Sequence, residues 1–236
     1  MRLDKALGTA GYTRSEAKAM IAKGRVQVNG ETAKNPGLNV EIGQVWLDGR
    51  PIDGEAEVYL MIHKPAGVVT ATEDARFETV VSLLPEQYRR RRIGPVGRLD
   101  RDVTGLVILT TDGQLAHRLI SPKWKAEKLY RAECEGELGA ADVRAFAEGV
   151  VLSDFTAMPA GMEILQRGEK SVADVTLTEG KFHQVKRMFA AIGHPLIRLE
   201  RLRIGCVTLD PALAPGEFRR LTPEEINGLK EMCDLL

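Results

Sequence analysis

Four consecutive branched aliphatic residues, Leu106-Val107-Ile108-Leu109, constrain this chain more than any other feature. A run that short, ended by Thr110-Thr111-Asp112-Gly113, reads as a buried strand. Directly before it stands Gly97-Arg98-Leu99-Asp100-Arg101-Asp102-Val103-Thr104-Gly105, where two glycines bracket a carboxylate, Asp100, set between two arginines. A glycine-permitted loop beside a buried strand can hold such a carboxylate ionised and facing a substrate. Taken alone, an Asp in a glycine-bounded loop is more often a turn or cap residue. The rest of the chain has to decide between these.

Around that strand, helical and strand signals are mixed. Leu3, Ala6, Leu7 and Ala10 form a helical stripe stopped by Gly11, and Thr13 to Glu16 has the spacing of a capping box for a second helix ending near Gly24. Val26-Gln27-Val28 alternates, and Asn29-Gly30 signals a hairpin. A second unit begins with a strand at Val58 to Ile62, a turn at Lys64 to Gly67 and a returning strand at Val68 to Thr70. Residues 79–84 are expected as a short helix, and Asp112-Gly113 as the start of one running to Ile120. Further strands are expected at Lys128 to Cys134, Val172 to Thr178 and Leu196 to Ile204, the last alternating Ile197, Leu199 and Leu202 with Arg198, Arg201 and Arg203. Helices are expected at 140–149, at Lys181 to Ile192 and from Thr222-Pro223 onward. Without regular βαβ alternation the fold class is α+β, with a mixed, largely antiparallel sheet flanked by helices. The expected organisation is a first module over 1–45, a linker over 46–57, and a second domain over 58–236.

Composition narrows the function classes. With 44% hydrophobic and 28% charged residues over 236 positions, the chain is ordinary for a soluble globular protein, and no apolar run approaches the roughly 20 residues a membrane span needs. Met1 to Lys5 lacks the apolar core of a secretory signal, and three scattered cysteines suggest neither a disulfide framework nor a metal knuckle. A cytoplasmic protein without a metal is expected. The net charge of zero hides an asymmetry: residues 86–131 hold 11 Lys and Arg against 5 Asp and Glu, and residues 207–236 hold 3 against 6. Such a distribution can give one positive face, the footprint of a polyanion binder. Arg89, Arg90, Arg91 and Arg92 stand out, since four adjacent like charges repel unless a counter-charge is near.

Arg2-Leu3-Asp4-Lys5-Ala6-Leu7, Ser15-Glu16-Ala17-Lys18 and Lys23 to Gly30 resemble the S4 RNA-binding domain. That resemblance implies a basic helix-hairpin face, with Arg14, Lys18, Lys23 and Arg25 toward RNA. Three further segments extend the likeness: the Asp100 loop, Lys128-Leu129-Tyr130, and Glu179-Gly180-Lys181-Phe182-His183-Gln184-Val185-Lys186-Arg187-Met188. Together they resemble the RsuA-like branch of the pseudouridine synthases, as do Arg201 to Gly205 and Leu213 to Glu217, so the resemblance covers nearly the whole chain.

The resemblance implies isomerisation of a uridine by cutting its N1 glycosidic bond, turning the base and joining C5 to the ribose. No redox step, phosphoryl transfer or hydrolysis is involved, so no cofactor is implied. Asp100 is implied as nucleophile, whether at the sugar C1′, at the base C6, or in assisting a glycal; Lys186 as its cationic partner; Tyr130 as the residue that stacks on the base and takes part in proton removal; Val185 as packing against that ring. Arg98 is placed for the extruded nucleotide, since a base inside an RNA helix must be flipped out to be reached. Arg89 to Arg92, Lys123, Lys125 and Lys128 are candidates for phosphate contacts that set affinity more than sequence choice. His183 and Gln184 are given a structural or hydrogen-bonding role. The implied partner is 16S ribosomal RNA or a small-subunit assembly intermediate; nothing demands an obligatory protein partner or more than a monomer. The alternatives are a 23S target, or an RNA-binding assembly factor without catalysis.

Overall fold

The computed structural model describes residues 1–52 and 57–236. The chain opens with α1 (Leu3–Thr9) and α2 (Arg14–Ala22), the second started by the Thr13–Glu16 capping box. The strands β1 (Val26–Val28), β2 (Glu31–Thr32), β3 (Val45–Leu47) and β4 (Arg50–Pro51) follow and pair as one four-stranded sheet in the order β2-β1-β3-β4. Asn29 and Gly30 both take positive φ (52° and 85°), as a two-residue hairpin turn requires. Leu3, Leu7, Ile21, Val26, Val45 and Ile52 form a separate small core. Residues 46–52, expected as linker, therefore belong to the first sheet and its core; 53–56 lie outside the described residues.

The second unit is built on a nine-stranded sheet. In chain order its parts are β5 (Tyr59–Lys64), α3 (Glu86–Arg89), β6 (Gly94–Pro95), β7 (Thr104–Thr110), α4 (Gly113–Ile120) and β8 (Lys128–Glu135). After these come α5 (Ala140–Glu148), β9 (Gly161–Gln166), β10 (Lys170–Leu177), α6 (Gln184–Ala191) and β11 (Leu196–Ile204). The chain closes with β12 (Val207–Thr208), β13 (Phe218–Arg220) and α7 (Pro223–Met232). The main order is β13-β5-β7-β11-β8-β10-β9, and β7 with β11 is its one parallel pairing among the described residues. This is the expected mixed, largely antiparallel α+β arrangement.

Both faces of the central strands are covered. In β5 and β7, Leu60, Ile62, Val107 and Leu109 join Phe146, Met188 and Phe189 of α5 and α6 in one core. Tyr59, Met61, Leu106 and Ile108 join Leu115, Leu119 and Leu229 of α4 and α7 in another. The period-two geometry of a strand thus explains why the Leu106–Leu109 run is apolar throughout.

Three expectations fail for local reasons. Residues 79–84 form turns, because the Thr79 and Ser82 side chains bond each other's backbone amides (3.0 Å each) and compete with helical bonding. Val68 to Thr70 forms only an isolated bridge, Val69 to Thr79. Lys181 to His183 are not helical; His183 is left-handed (φ 49°, ψ 30°) and α6 starts after it.

Candidate active site

Sheet register brings the distant segments together. Gly105 of β7 lies opposite Arg201 of β11, Arg201 opposite Tyr130 of β8, and Tyr130 opposite Val175 of β10. The Asp100 loop enters β7 at one side of this row, and the turn after β10 delivers α6 at the other. Gly105 is required where it stands: φ is 106°, and a Cβ there would lie 2.3 Å from the Arg201 carbonyl oxygen.

The cleft between loop and helix is small, about 80 Å³, and Asp100, Arg98, Tyr130, Val185, Lys186 and His183 all line it. The Asp100 carboxylate is flanked by Lys186 Nζ at 3.3 Å and His183 Nε2 at 3.3 Å. Tyr130 and Val185 are buried, at 8% and 7% exposure, while Arg98 is exposed at the rim. The three segments that the resemblance singled out thus meet on one cleft.

Lys186 is shared. Its nearest carboxylate is Asp102, at 2.7 and 2.8 Å, two residues beyond Asp100 in the same loop. Burial opposes the Lys186 charge, but the Asp102 hydrogen bond and the Asp100 charge outweigh it and hold its pKa above the ordinary lysine value. The same hydrogen bond holds the Asp102 carboxyl below the usual carboxylate range. An ammonium, unlike a guanidinium, is a compact charge whose three protons can be divided between two acids. Sequence reading passed over Asp102; the signal was a second acid on the same tight loop.

Beneath the loop lie two buried cations, also missed. Lys64, 0% exposed, donates to the carbonyls of Pro65 (2.9 Å), Arg101 (3.0 Å) and Val103 (2.7 Å). Burial pushes its pKa down to about 8. Arg201, 2% exposed, donates from Nε to the Leu106 carbonyl (2.9 Å) and from Nη1 to the Arg98 carbonyl (3.5 Å). Thr70 Oγ1 closes the remaining gap, donating to the Leu99 carbonyl and accepting from the Leu99 amide. The loop's main chain is therefore tied from below along most of its length, leaving the Asp100 side chain facing the cleft. Holding a reacting group in place beforehand is a large part of what a site can contribute to a rate.

The turn before α6 is braced in turn: Gln184 donates to Glu179 (2.5 Å) and accepts from the Lys181 amide (2.9 Å), the hydrogen-bonding role expected of it.

The expected phosphate-contact residues do not form one surface. Lys18, Lys23, Arg89, Arg92, Lys123 and Lys125 are exposed. Arg25 is held by Asp48 (2.9 and 2.5 Å), Arg90 is paired with Glu86, and Arg14 lies 3.7 Å from Asp4. Arg91 is buried, and with Arg14 it lines a hollow between the two units; Gly11 packs against the Arg90 backbone there. The arginine run is a junction as much as a surface, which is why Arg91 is not available to phosphate. Lys128 is half-buried, with Nζ donating to the Ala126 carbonyl (2.8 Å) and its pKa lowered by burial.

A small helix-hairpin domain joined to a sheet that presents one tethered acid between cations describes a two-domain enzyme. Family comparison agrees. Residues 58–191 match the RNA pseudouridylate synthase model, and residues 1–46 match the S4 domain. The chain is 44% identical to an uncharacterized RNA pseudouridine synthase of Bacillus subtilis over 98% of this chain and 99% of that one. It is 42% identical to the ribosomal small subunit pseudouridine synthase A of Vibrio parahaemolyticus, over 97% and 99%. A crystal structure of a pseudouridylate synthase superposes with a TM-score of 0.69 at 36% identity, covering 97% of this chain and 99% of that one. The chain belongs to the RNA pseudouridylate synthase family and is an RNA pseudouridine synthase, with an S4 domain ahead of its catalytic domain. The reading as a non-catalytic assembly factor falls with that finding.

Proposed function

We propose that this enzyme converts a uridine of 16S ribosomal RNA, free or in a partly assembled small subunit, to pseudouridine, with Asp100 as nucleophile and without a cofactor. The observation that carries the chemistry is the meeting of Asp100, Tyr130 and Lys186 on one cleft. Near-full-length similarity to relatives named for the small ribosomal subunit supports the target.

In this reading the target base leaves its helix and enters the cleft, with Arg98 at the rim filling the space it vacates. Asp100 forms the covalent or ion-paired intermediate as the N1 to C1′ bond breaks, splitting one hard step into easier ones. Lys186 balances the Asp100 charge while water is excluded, where a nearby cation counts for more than in bulk solvent. Tyr130 packs along the detached uracil, held by Val185, as the base turns to offer C5. C5 then joins C1′ as the bond or ion pair between C1′ and Asp100 breaks, the C5 proton is removed with Tyr130 at hand, and N1 takes up a proton. The exposed cations Lys18, Lys23, Arg89, Arg92, Lys123 and Lys125 hold the RNA backbone and set the salt dependence of binding. The proposal places the enzyme in the cytoplasm as a monomer; among the described residues no helix is long and apolar enough to cross a membrane.

The test is release of the C5 hydrogen from labelled uridine in separate 16S and 23S transcripts and in partly assembled small subunits. Release confined to 16S substrates is expected. Release from 23S RNA alone would move the target and leave the chemistry in place.

A further inference from the structure

Beside the Asp100 cleft, between its lining residues Lys181 and His183, stands an aromatic side chain that the folding of the domain does not use. Phe182 is 76% exposed, far beyond what packing explains, and lies two residues before α6. One face of its ring is stacked on His183, with centroids 3.8 Å apart and planes 18° from parallel. His183 in turn puts Nε2 3.3 Å from Asp100 Oδ1, so the exposed ring stands one imidazole away from the nucleophile. The backbone that achieves this is strained: His183 holds φ 49° and ψ 30°, a region non-glycine residues seldom enter, and the Glu179–Gln184 brace keeps it there. Strain held by its surroundings at the edge of a reaction site points to a functional demand on what it displays.

The surroundings suit a nucleic acid strand. In the same turn Lys181 Nζ sits 3.6 Å from the centre of the Phe155 ring and 3.9 Å from Glu179 Oε2. Within the Asp100 loop the Arg101 guanidinium sits 4.6 Å from the centre of the Phe77 ring, itself 43% exposed. Cations held beside aromatic rings around an exposed aromatic face match how single-stranded nucleic acid is gripped, with phosphates on the cations and bases on the rings.

We propose that the outer face of Phe182 is a stacking seat for the unpaired nucleotide next to the target uridine, with His183 as the backing that fixes the ring. The inference rests on the proposed reaction on RNA. Arg98 fills the space the target vacates in the helix, while Phe182 takes the flanking base that leaves the stack with the target, without reading its identity.

The experiment is a cycle of KM and kcat measurements on the RNA that wild-type enzyme modifies. One partner of the cycle is Phe182→Ala; the other is an abasic nucleotide placed on either side of the target. Stacking losses of this kind correspond to about a 5- to 150-fold change. Phe182→Ala is expected to raise KM within that range and to lower kcat less, and Phe182→Trp to restore KM. An abasic site on one flank should raise KM for wild type by a similar factor and add little to the alanine variant. Independent, multiplying effects of the two changes, or a KM untouched by Phe182→Ala, would overturn the seat while leaving the isomerase reading in place. Absence of turnover by wild type on every RNA would overturn that reading and the seat with it.

Discussion

The first domain and the floor of the catalytic cleft use the same kinds of cation in opposite ways. In the first domain Arg25 forms a two-pronged pair with Asp48, both partners about half exposed. Beneath the Asp100 loop, Lys64 and Arg201 are buried and give their protons to main-chain carbonyls. Exposed pairs contribute little and exchange partners readily. Buried cations bound to carbonyls cannot exchange without exposing unpaired groups, so they fix a shape instead. Position, more than residue type, separates an exchangeable cation from a fixed one in this enzyme.

The comparison is broken most severely at Lys64. Lys64→Met leaves three carbonyls without a donor and is expected to cost about 3–5 kcal/mol by denaturant unfolding, with turnover lost even where the protein stays folded. Its titration gives a signature in wild type. The buried lysine releases its proton near pH 8, while the unfolded chain keeps its own to about 10.5. Across that window the unfolded state binds more protons, so this group's contribution to stability rises with pH. Activity moves the other way, because a neutral amine has two protons for three carbonyls. A kcat/KM profile falling above pH 8, together with undiminished stability, is the expected pair of results.

Gly105→Ala is expected to cost about 2–4 kcal/mol, since the new methyl meets the Arg201 backbone and φ is positive. A thermal melt unchanged from wild type would mean that the β7–β11 contact is looser than described.

Lys186→Met is expected to lower kcat about 100-fold, the scale of removing one placed charge from a site, with little change in stability. Its pairing with Asp102 also predicts a pH window. A lowered Asp102 contributes stability above the ordinary carboxylate range that is lost as pH falls through its folded value. A raised Lys186 contributes stability below the ordinary lysine value that is lost as pH rises through its own. The stability difference between wild type and Asp102→Asn should therefore shrink as pH falls below the ordinary carboxylate range. A difference that grows on acidification would contradict the pairing.

The smallest effect belongs to the first domain. Asp48→Asn should leave stability nearly unchanged and, by releasing Arg25, tighten RNA binding at low salt. Weaker binding would show that the pair itself forms the RNA surface.

What the sequence disclosed follows the range of each force. Capping at Thr13 and Thr222, the Asn29-Gly30 turn and the Asp112 cap are local bonds, and each stands where the residues suggested. The Asp100, Tyr130 and Lys186 segments were legible through family resemblance alone, since nothing in their spacing brings them together. Lys64 and Arg201 were illegible because burial of a cation is decided by neighbours far away in the chain. Arg201 was read as one of several basic residues alternating with apolar ones, yet it stands two residues beyond buried Leu199 and so shares its inward face of the strand. Asp102 was hidden by its better-marked neighbour.

The central claim is that Asp100 carries out the bond exchange at this cleft. Asp100→Asn keeps the shape of the side chain and removes the nucleophile, so the variant should bind the RNA substrate as wild type does and release no C5 hydrogen from it. Release at the wild-type rate would remove Asp100 from the mechanism and contradict the account.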